Sequence, residues 1–144
     1  MPVTSHHANT ADTSPERSAT RRNHRIGVAI SALVAAFLVF DAFGKLSGVQ
    51  QVKDGTQALG FPVGQALVMG IVLSVCVLIY VIPHTAVLGA LGITAYLGGA
   101  VTANMRVEAP LFTHILFAVY LGVLMWVGLA LRRPQLLTIV GLKR

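Results

Sequence analysis

Two oppositely charged residues stand four positions apart at the end of the first long apolar stretch of the chain. Asp41 and Lys45 lie within the sequence Phe-Asp-Ala-Phe-Gly-Lys-Leu at residues 40–46. Residues four apart on a helix face the same side, so these side chains can form an ion pair. Charged groups are costly inside a lipid bilayer and normally face protein or each other. We therefore expect both residues at the boundary between lipid and water, directed toward protein.

Further polar residues fall at the same predicted depth, which we call the outer rim. With Asp41 and Lys45, the outer rim comprises Asn104, Arg106, Glu108 and His114. One interpretation is an outward-facing pocket that binds an anion or a polar head group, with His114 moving protons near neutral pH. The plainer interpretation is a local ion pair, a solvated loop and an interfacial histidine. The sequence leaves both open.

A second polar set falls near the middle of the predicted spans and comprises Ser74, Cys76, Tyr96 and Tyr120. Hydroxyl groups at that depth need hydrogen-bond partners, which a backbone carbonyl or a neighbouring helix usually supplies. We expect core residues here, and contact with a quinone or a lipid hydroxyl is the alternative. A single cysteine excludes an internal disulfide and a Cys-x-x-Cys redox centre. The sequence contains no metal-binding or phosphate-binding motif.

The composition of the chain indicates a membrane protein. Of its 144 residues, 55% are hydrophobic and 11% are charged, and the mean hydropathy is +0.74. Soluble domains carry about 25% charged residues. The formal charge of +6 comes mainly from basic clusters near the chain ends. Nucleic-acid binding would require a basic face interleaved with aromatic residues, and the sequence contains none. We expect membrane lipid and other membrane proteins as partners.

Four apolar stretches of roughly twenty residues predict four transmembrane helices. They cover residues 26–46, 62–82, 85–104 and 111–131. Backbone groups in lipid must be paired internally, which favours helices. Only Pro83 and His84 separate the second stretch from the third, which predicts a tight antiparallel hairpin. The predicted fold is an all-α membrane protein, a four-helix up-down transmembrane bundle over residues 25–133.

The segments outside the spans differ from this apolar centre. Residues 1–24 have few large apolar side chains and predict a disordered cytoplasmic tail. Residues 134–144 predict a basic, interfacial cytoplasmic tail, and residues 47–61 predict a short amphipathic helix on the outer interface or over the bundle. Basic residues flanking the first and last spans place both termini in the cytoplasm. Tyr80 and Trp126 are expected in an aromatic belt at the cytoplasmic ends of their spans.

The third apolar stretch is rich in small residues. One narrow sector of its helix holds Gly92, Ala95, Gly99 and Ala103. Small residues on one face predict a seam where two helices pack closely. Arg106 continues this sector, whereas Asn104 points nearly the opposite way. We therefore expect only one of these two side chains to face a common cleft.

The first three apolar stretches each begin or end in a short motif that resembles a known family. The first closes with Gly-Lys-Leu, the second opens with Leu-Gly-Phe-Pro, and the third ends in Gly-Gly-Ala-Val-Thr-Ala-Asn-Met-Arg-Val-Glu-Ala-Pro. Over residues 25–134 the chain resembles the DoxX-like family of four-helix bacterial inner-membrane proteins. Family members often have His-x-Arg followed by Gly-Asp-Pro, where this chain has Asn104-Met105-Arg106 and Glu108-Ala109-Pro110. The arginine is kept and the histidine is replaced, with His114 on another helix as a partial substitute.

The resemblance implies a bacterial inner (plasma) membrane protein and leaves three functions open. The first is an accessory subunit of a membrane-associated redox or stress-response assembly. The second is a quinone- or thiosulfate-linked oxidoreductase subunit, with Arg106 and Lys45 binding the anion and His114 shuttling protons. The third is a protein that handles a small solute or a lipid in the same outer cleft. We expect no cofactor except a quinone under the second hypothesis.

Overall fold

The computed structural model describes residues 15–136, which fold into α-helices joined by short turns. The helices are α1 (Pro15–Leu46), α2 (Gln50–Ala58), α3 (Gln65–Val81), α4 (Ala86–Arg106) and α5 (Leu116–Arg132). A 3₁₀ turn (Pro83–Thr85) links α3 to α4, and a π-helical turn (Leu111–Ile115) leads into α5. No strand occurs in this range, so the all-α prediction is confirmed there. The short helix predicted between the first two stretches is also present, as α2.

Three helical segments are long and apolar enough to cross a membrane: Thr20–Leu46, Pro83–Arg106 and Leu111–Arg132. The remaining apolar helix, α3, has only 17 residues. It begins later than the predicted stretch because residues 62–64 form a turn, in which the carbonyl of Pro62 accepts from the amide of Gln65 at 2.9 Å. The chain is therefore an α-helical membrane protein whose second apolar helix is shorter than the other three.

The two ends of the described range lie close to the predicted tails. Helix α1 already begins at Pro15, so residues 15–24 are helical and continuous with the apolar part of α1. At the other end α5 stops at Arg132 and a turn follows at Pro134. Residues 1–14 and 137–144, and with them most of both predicted tails, lie outside the described residues. The division of the chain at residues 24 and 134 stays a prediction.

The four apolar helices pack in a closed ring. Helix α1 contacts α3 and α5, and α4 contacts the same two helices, so α1 and α4 lie on one diagonal. The largest fully buried side chains are Tyr80, Leu38, Leu73, Ile93, Met125, Leu129 and Val34. Large apolar side chains such as Leu33, Phe40 and Leu78 point outward and are exposed. Helices that are apolar on every face are typical of proteins surrounded by lipid.

Neighbouring helices approach most closely where a glycine stands in place of a side chain. A Cβ atom at Gly89 would overlap the backbone of Tyr80, so α3 and α4 meet backbone to backbone there. Between α1 and α5, a Cβ at Gly27 would lie 2.7 Å from the Cβ of Leu131. Such approaches increase the van der Waals contact that holds helices together in lipid. The glycines therefore fix the helix spacing at the end of the ring remote from α2.

The same end of the ring contains a buried polar contact centred on Tyr80. Its hydroxyl lies 3.1 Å from the hydroxyl oxygen of Ser31 and 3.5 Å from the carbonyl oxygen of Met125. The expectation of Tyr80 in an aromatic belt is wrong, because the side chain is only 1% exposed. A buried hydroxyl needs a partner, and here the partners join α3 to α1 and α5.

Candidate ligand-binding cavity

A cavity of about 770 Å³ lies inside the ring at the end covered by α2. Its walls come from α1, α4 and α5, with Met69 of α3 and several residues of α2 completing them. The described lining residues are apolar or glycine apart from Asp41, Lys45, Thr56, Tyr96 and Asn104. Ligand pockets typically measure about 300 to 1,000 Å³ and combine apolar walls with a few polar groups. The size and the lining are therefore those of a small-molecule site.

The cavity exists because small residues of α4 face it. Ala95, Gly99 and Ala103 line it, and a Cβ atom at Gly99 would meet nothing within 4 Å. By contrast, a Cβ at Gly92 would lie 2.8 Å from the sulfur of Cys76 on α3. The prediction of a close seam along this whole sector is thus wrong beyond Gly92. Helix α1 lies diagonally opposite α4, and small side chains do not bridge that distance.

The predicted ion pair is present in the cavity wall. The Nζ atom of Lys45 donates to Oδ1 of Asp41 at 2.5 Å, and both side chains are partly buried. Helix α1 places them one turn apart on the face that lines the cavity, as their spacing predicts. Each charge compensates the other, so the pair brings polarity to the wall without net charge.

Asn104 is the outer-rim residue of α4 that lines the cavity. Its Nδ2 atom donates to the carbonyl oxygen of Ala100 at 2.8 Å, which leaves the carboxamide oxygen as an acceptor with no donor among the described residues. Arg106 does not line the cavity. Only one of the two side chains lines the cavity, as expected, but it is Asn104, and Arg106 does not follow the small-residue sector of α4 into the cavity.

Arg106 is instead directed at the end of α2. Its Nη2 atom donates to the carbonyl oxygen of Leu59 at 2.6 Å, and its Cζ atom lies 5.8 Å from the centre of the Phe61 ring. A cation at a helix C-terminus is favoured by the helix dipole, and the ring face adds a cation–π attraction. Leu59 and Phe61 both line the cavity. Arg106 therefore holds the C-terminal end of α2 in place over the cavity.

The backbone of α2 ends in a glycine turn that makes this contact possible. Gly60 has φ +77°, and the amide of Phe61 donates to the carbonyl of Thr56 at 3.1 Å, as in a Schellman motif. A Cβ at position 60 would overlap the guanidinium of Arg106. Glycine is therefore required here both for the left-handed backbone and for the close approach of the arginine.

Of the last two outer-rim residues, Glu108 is not among the residues that line the cavity. Glu108 follows α4 with φ 52°, in a second turn in which the amide of Ala109 donates to the carbonyl of Asn104 at 3.0 Å. The backbone of His114 belongs to the π-helical turn before α5, and its side chain lies outside the described part of the structure. The structure thus brings Asp41, Lys45 and Asn104 into one cavity wall, whereas Arg106 contacts Leu59 and Phe61.

The mid-depth residues separate in the structure. The hydroxyl of Ser74 donates to the carbonyl of Gly70 in its own helix at 2.8 Å, and Tyr120 is 57% exposed on the outside of α5. Cys76 packs against Gly92. Only Tyr96 lines the cavity, where its phenol offers both a donor and an acceptor.

The cavity wall also contains an aromatic pair that the sequence pattern does not predict. Phe37 of α1 and Phe117 of α5 both line the cavity, with ring centres 5.3 Å apart and planes at 65°. Each ring is also partly exposed, so the pair stands between the cavity and the surroundings of the bundle. Phe37 precedes Asp41 by one helical turn, and this spacing indicates that both residues lie on the same face of α1. Nothing in the sequence pairs it with Phe117.

These features define an α-helical membrane protein with a partly open, largely apolar cavity. Residues 29–128 match the model of the DoxX-like family, and this range includes every described residue of the cavity wall. The chain therefore belongs to the DoxX-like family, as its sequence pattern indicates. No curated protein and no solved structure gives a significant match.

Proposed function

We propose that the chain is a bacterial inner-membrane protein that holds an amphipathic small molecule in its cavity. The observation that carries this proposal is the distribution of polarity in the cavity wall. Asp41, Lys45 and Asn104 lie near the C-terminal ends of α1 and α4, and apolar residues such as Leu38 and Leu121 line the deeper part. A molecule with an apolar chain and a polar head group matches this distribution.

The proposed membrane arrangement has four spans, with both termini in the cytoplasm. At 1.5 Å per residue, α3 is about 25 Å long, near the lower limit for a spanning helix. It packs between α1 and α4, so it lies alongside helices that are long enough to span. Arg25 and Arg132 lie at the end remote from α2, and basic residues favour the cytoplasmic side. This arrangement puts the cavity in the non-cytoplasmic half of the bilayer.

A quinone meets the same requirements, because it joins an apolar chain to a neutral polar ring. The quinone-linked hypothesis therefore stays a prediction within this proposal, as does membership of a redox or stress-response assembly. Thiosulfate fits less well. Lys45 is already paired with Asp41, and Arg106 is bound to a backbone carbonyl, so neither is a free cation for a small anion.

Two neighbouring glycines of α4 provide a matched test. A Cβ at Gly98 or at Gly99 would meet nothing within 4 Å, but only Gly99 lines the cavity. Gly99→Leu should fill the cavity, whereas Gly98→Leu places the same side chain outside it. We expect native mass spectrometry of the detergent-purified protein to show a bound amphiphile in the wild type and in Gly98→Leu. Equal retention in Gly99→Leu would contradict the proposal.

A further inference from the structure

We propose that the cavity selects amphiphiles whose head group is uncharged and carries a hydroxyl, over amphiphiles with an anionic or cationic head group. This inference rests on the proposed function, because it specifies the ligand of the same cavity. It follows from the ion pair and the hydrogen bonds that the charged and polar groups of the cavity wall already form with one another.

The charges of the wall cancel. Asp41 and Lys45 are the only residues charged at neutral pH among the described lining residues, and they are bonded to each other at 2.5 Å. An anionic head group that approaches Lys45 also approaches the carboxylate of Asp41, and a cationic head group that approaches Asp41 also approaches the ammonium of Lys45. Either ion therefore meets a like charge beside its counter-ion, which weakens its attraction to the wall.

The other charged side chains near this end do not supply a counter-ion either. Arg106 donates to the carbonyl of Leu59. Asp54 accepts a hydrogen bond of 2.8 Å from the amide of Gln50 on the exposed side of α2. Lys53 and Glu108, like Asp54 and Arg106, are not among the lining residues. The described wall therefore offers an ionic head group no unpaired opposite charge.

A hydroxyl group suits the hydrogen-bonding atoms that the wall leaves over. The carboxamide oxygen of Asn104 is an acceptor, because its nitrogen already donates to Ala100. The ammonium of Lys45 has three protons, of which the pair with Asp41 uses one. Hydroxyls of a head group can donate to the first group and accept from the second without opening the ion pair. An ester or ketone oxygen can only accept, so it leaves the oxygen of Asn104 unsatisfied.

Four probes with the same oleyl-length chain separate these head groups: monoolein (neutral, with hydroxyls), methyl oleate (neutral, acceptor only), oleate and oleylamine. Binding of each is measured to the full-length protein in nanodiscs, at a pH where oleate and oleylamine are both ionised. We expect the wild type to bind monoolein about tenfold more tightly than either ion, because each ion meets a like charge beside its counter-ion and the loss of about one hydrogen bond to a charged group corresponds to this factor.

Substitutions of the ion pair should change this preference in opposite directions. Asp41→Asn leaves Lys45 unpaired and should raise the affinity for oleate about tenfold, whereas Lys45→Gln leaves Asp41 unpaired and should do the same for oleylamine. Asn104→Leu does not touch the pair. It should abolish the advantage of monoolein over methyl oleate. This variant therefore tests the inference even if the charge variants unfold.

Some outcomes of these experiments would overturn only the head-group preference, and others would also overturn the proposed function. A wild type that prefers oleate or oleylamine, or that binds all four probes equally, overturns the inference and leaves the cavity as a binding site. Folded charge variants with unchanged preferences also overturn it. A wild type that binds none of the probes, with Gly99→Leu behaving identically, overturns both.

Discussion

The guanidinium of Arg106, the last residue of α4, donates a 2.6 Å hydrogen bond to the carbonyl oxygen of Leu59 at the end of α2. This contact fastens the helix that covers the cavity. Arg106→Gln removes the charged donor and the stacking on Phe61. Because a charge-assisted hydrogen bond contributes about 1.5 to 3 kcal/mol, we expect backbone amides at Gly60 and Phe61 to exchange with solvent at least about tenfold faster. Hydrogen-exchange mass spectrometry in detergent measures this rate.

A second arginine provides the control. Arg133 donates to the carbonyl oxygen of Pro83 at the opposite end of the ring, so Arg133→Gln removes a similar contact far from α2. It should leave amide exchange in α2 unchanged. If Arg133→Gln accelerated exchange in α2 as much as Arg106→Gln does, the effect would be general destabilisation, and Arg106 would have no special part in holding α2.

Glu108 occupies a backbone conformation that suits glycine better. Its φ of 52° costs a residue with a side chain about 1 to 2 kcal/mol, and it stands where the family motif commonly has glycine. Glu108→Gly should therefore raise the free energy of unfolding by about 0.5 to 1 kcal/mol after the entropic cost of glycine. Glu108→Ala should give no such gain, because alanine pays the same conformational cost. Chemical unfolding in mixed micelles, followed by circular dichroism, compares the two variants.

The helices and the ion pair could be predicted from the sequence because both depend on local spacing. Runs of apolar residues set the helices, and a separation of four residues puts Asp41 and Lys45 on one helical face. The divergence of Asn104 from Arg106 follows from the same periodicity. Predictions of this kind need no knowledge of the neighbouring helices.

The cavity could not be predicted, because it depends on which helices are neighbours. A sector of small residues on one helical face is compatible both with a close contact between helices and with the wall of a cavity. Gly92 faces α3 and meets Cys76, whereas Gly99 faces open space because α1 lies across the diagonal of the ring. The burial of Tyr80 has the same origin, since its partners Ser31 and Met125 come from distant parts of the chain.

The close approach of α3 and α4 makes Gly89 intolerant of a side chain. A Cβ there would overlap backbone atoms of Tyr80, and backbone cannot move aside as a flexible side chain can. Gly89→Ala should lower the free energy of unfolding by about 2 to 3 kcal/mol. Gly98→Ala on the same helix meets nothing within 4 Å, so it should be neutral or stabilising by up to about 1 kcal/mol. Similar losses for both variants would contradict the close approach.

The contact between Tyr80 and Ser31 should contribute measurably to stability, because both side chains are buried. Hydrogen bonds inside membrane proteins contribute about 0.6 kcal/mol on average. Tyr80→Phe and Ser31→Ala should each lower the free energy of unfolding, and the double variant should lose about 0.5 to 1 kcal/mol less than the sum of the two. Ser74→Ala, which removes only a bond within one helix, should show no such coupling with Tyr80→Phe. A double-mutant cycle with strictly additive losses for the first pair would mean that the 3.1 Å contact does not hold α1 and α3 together.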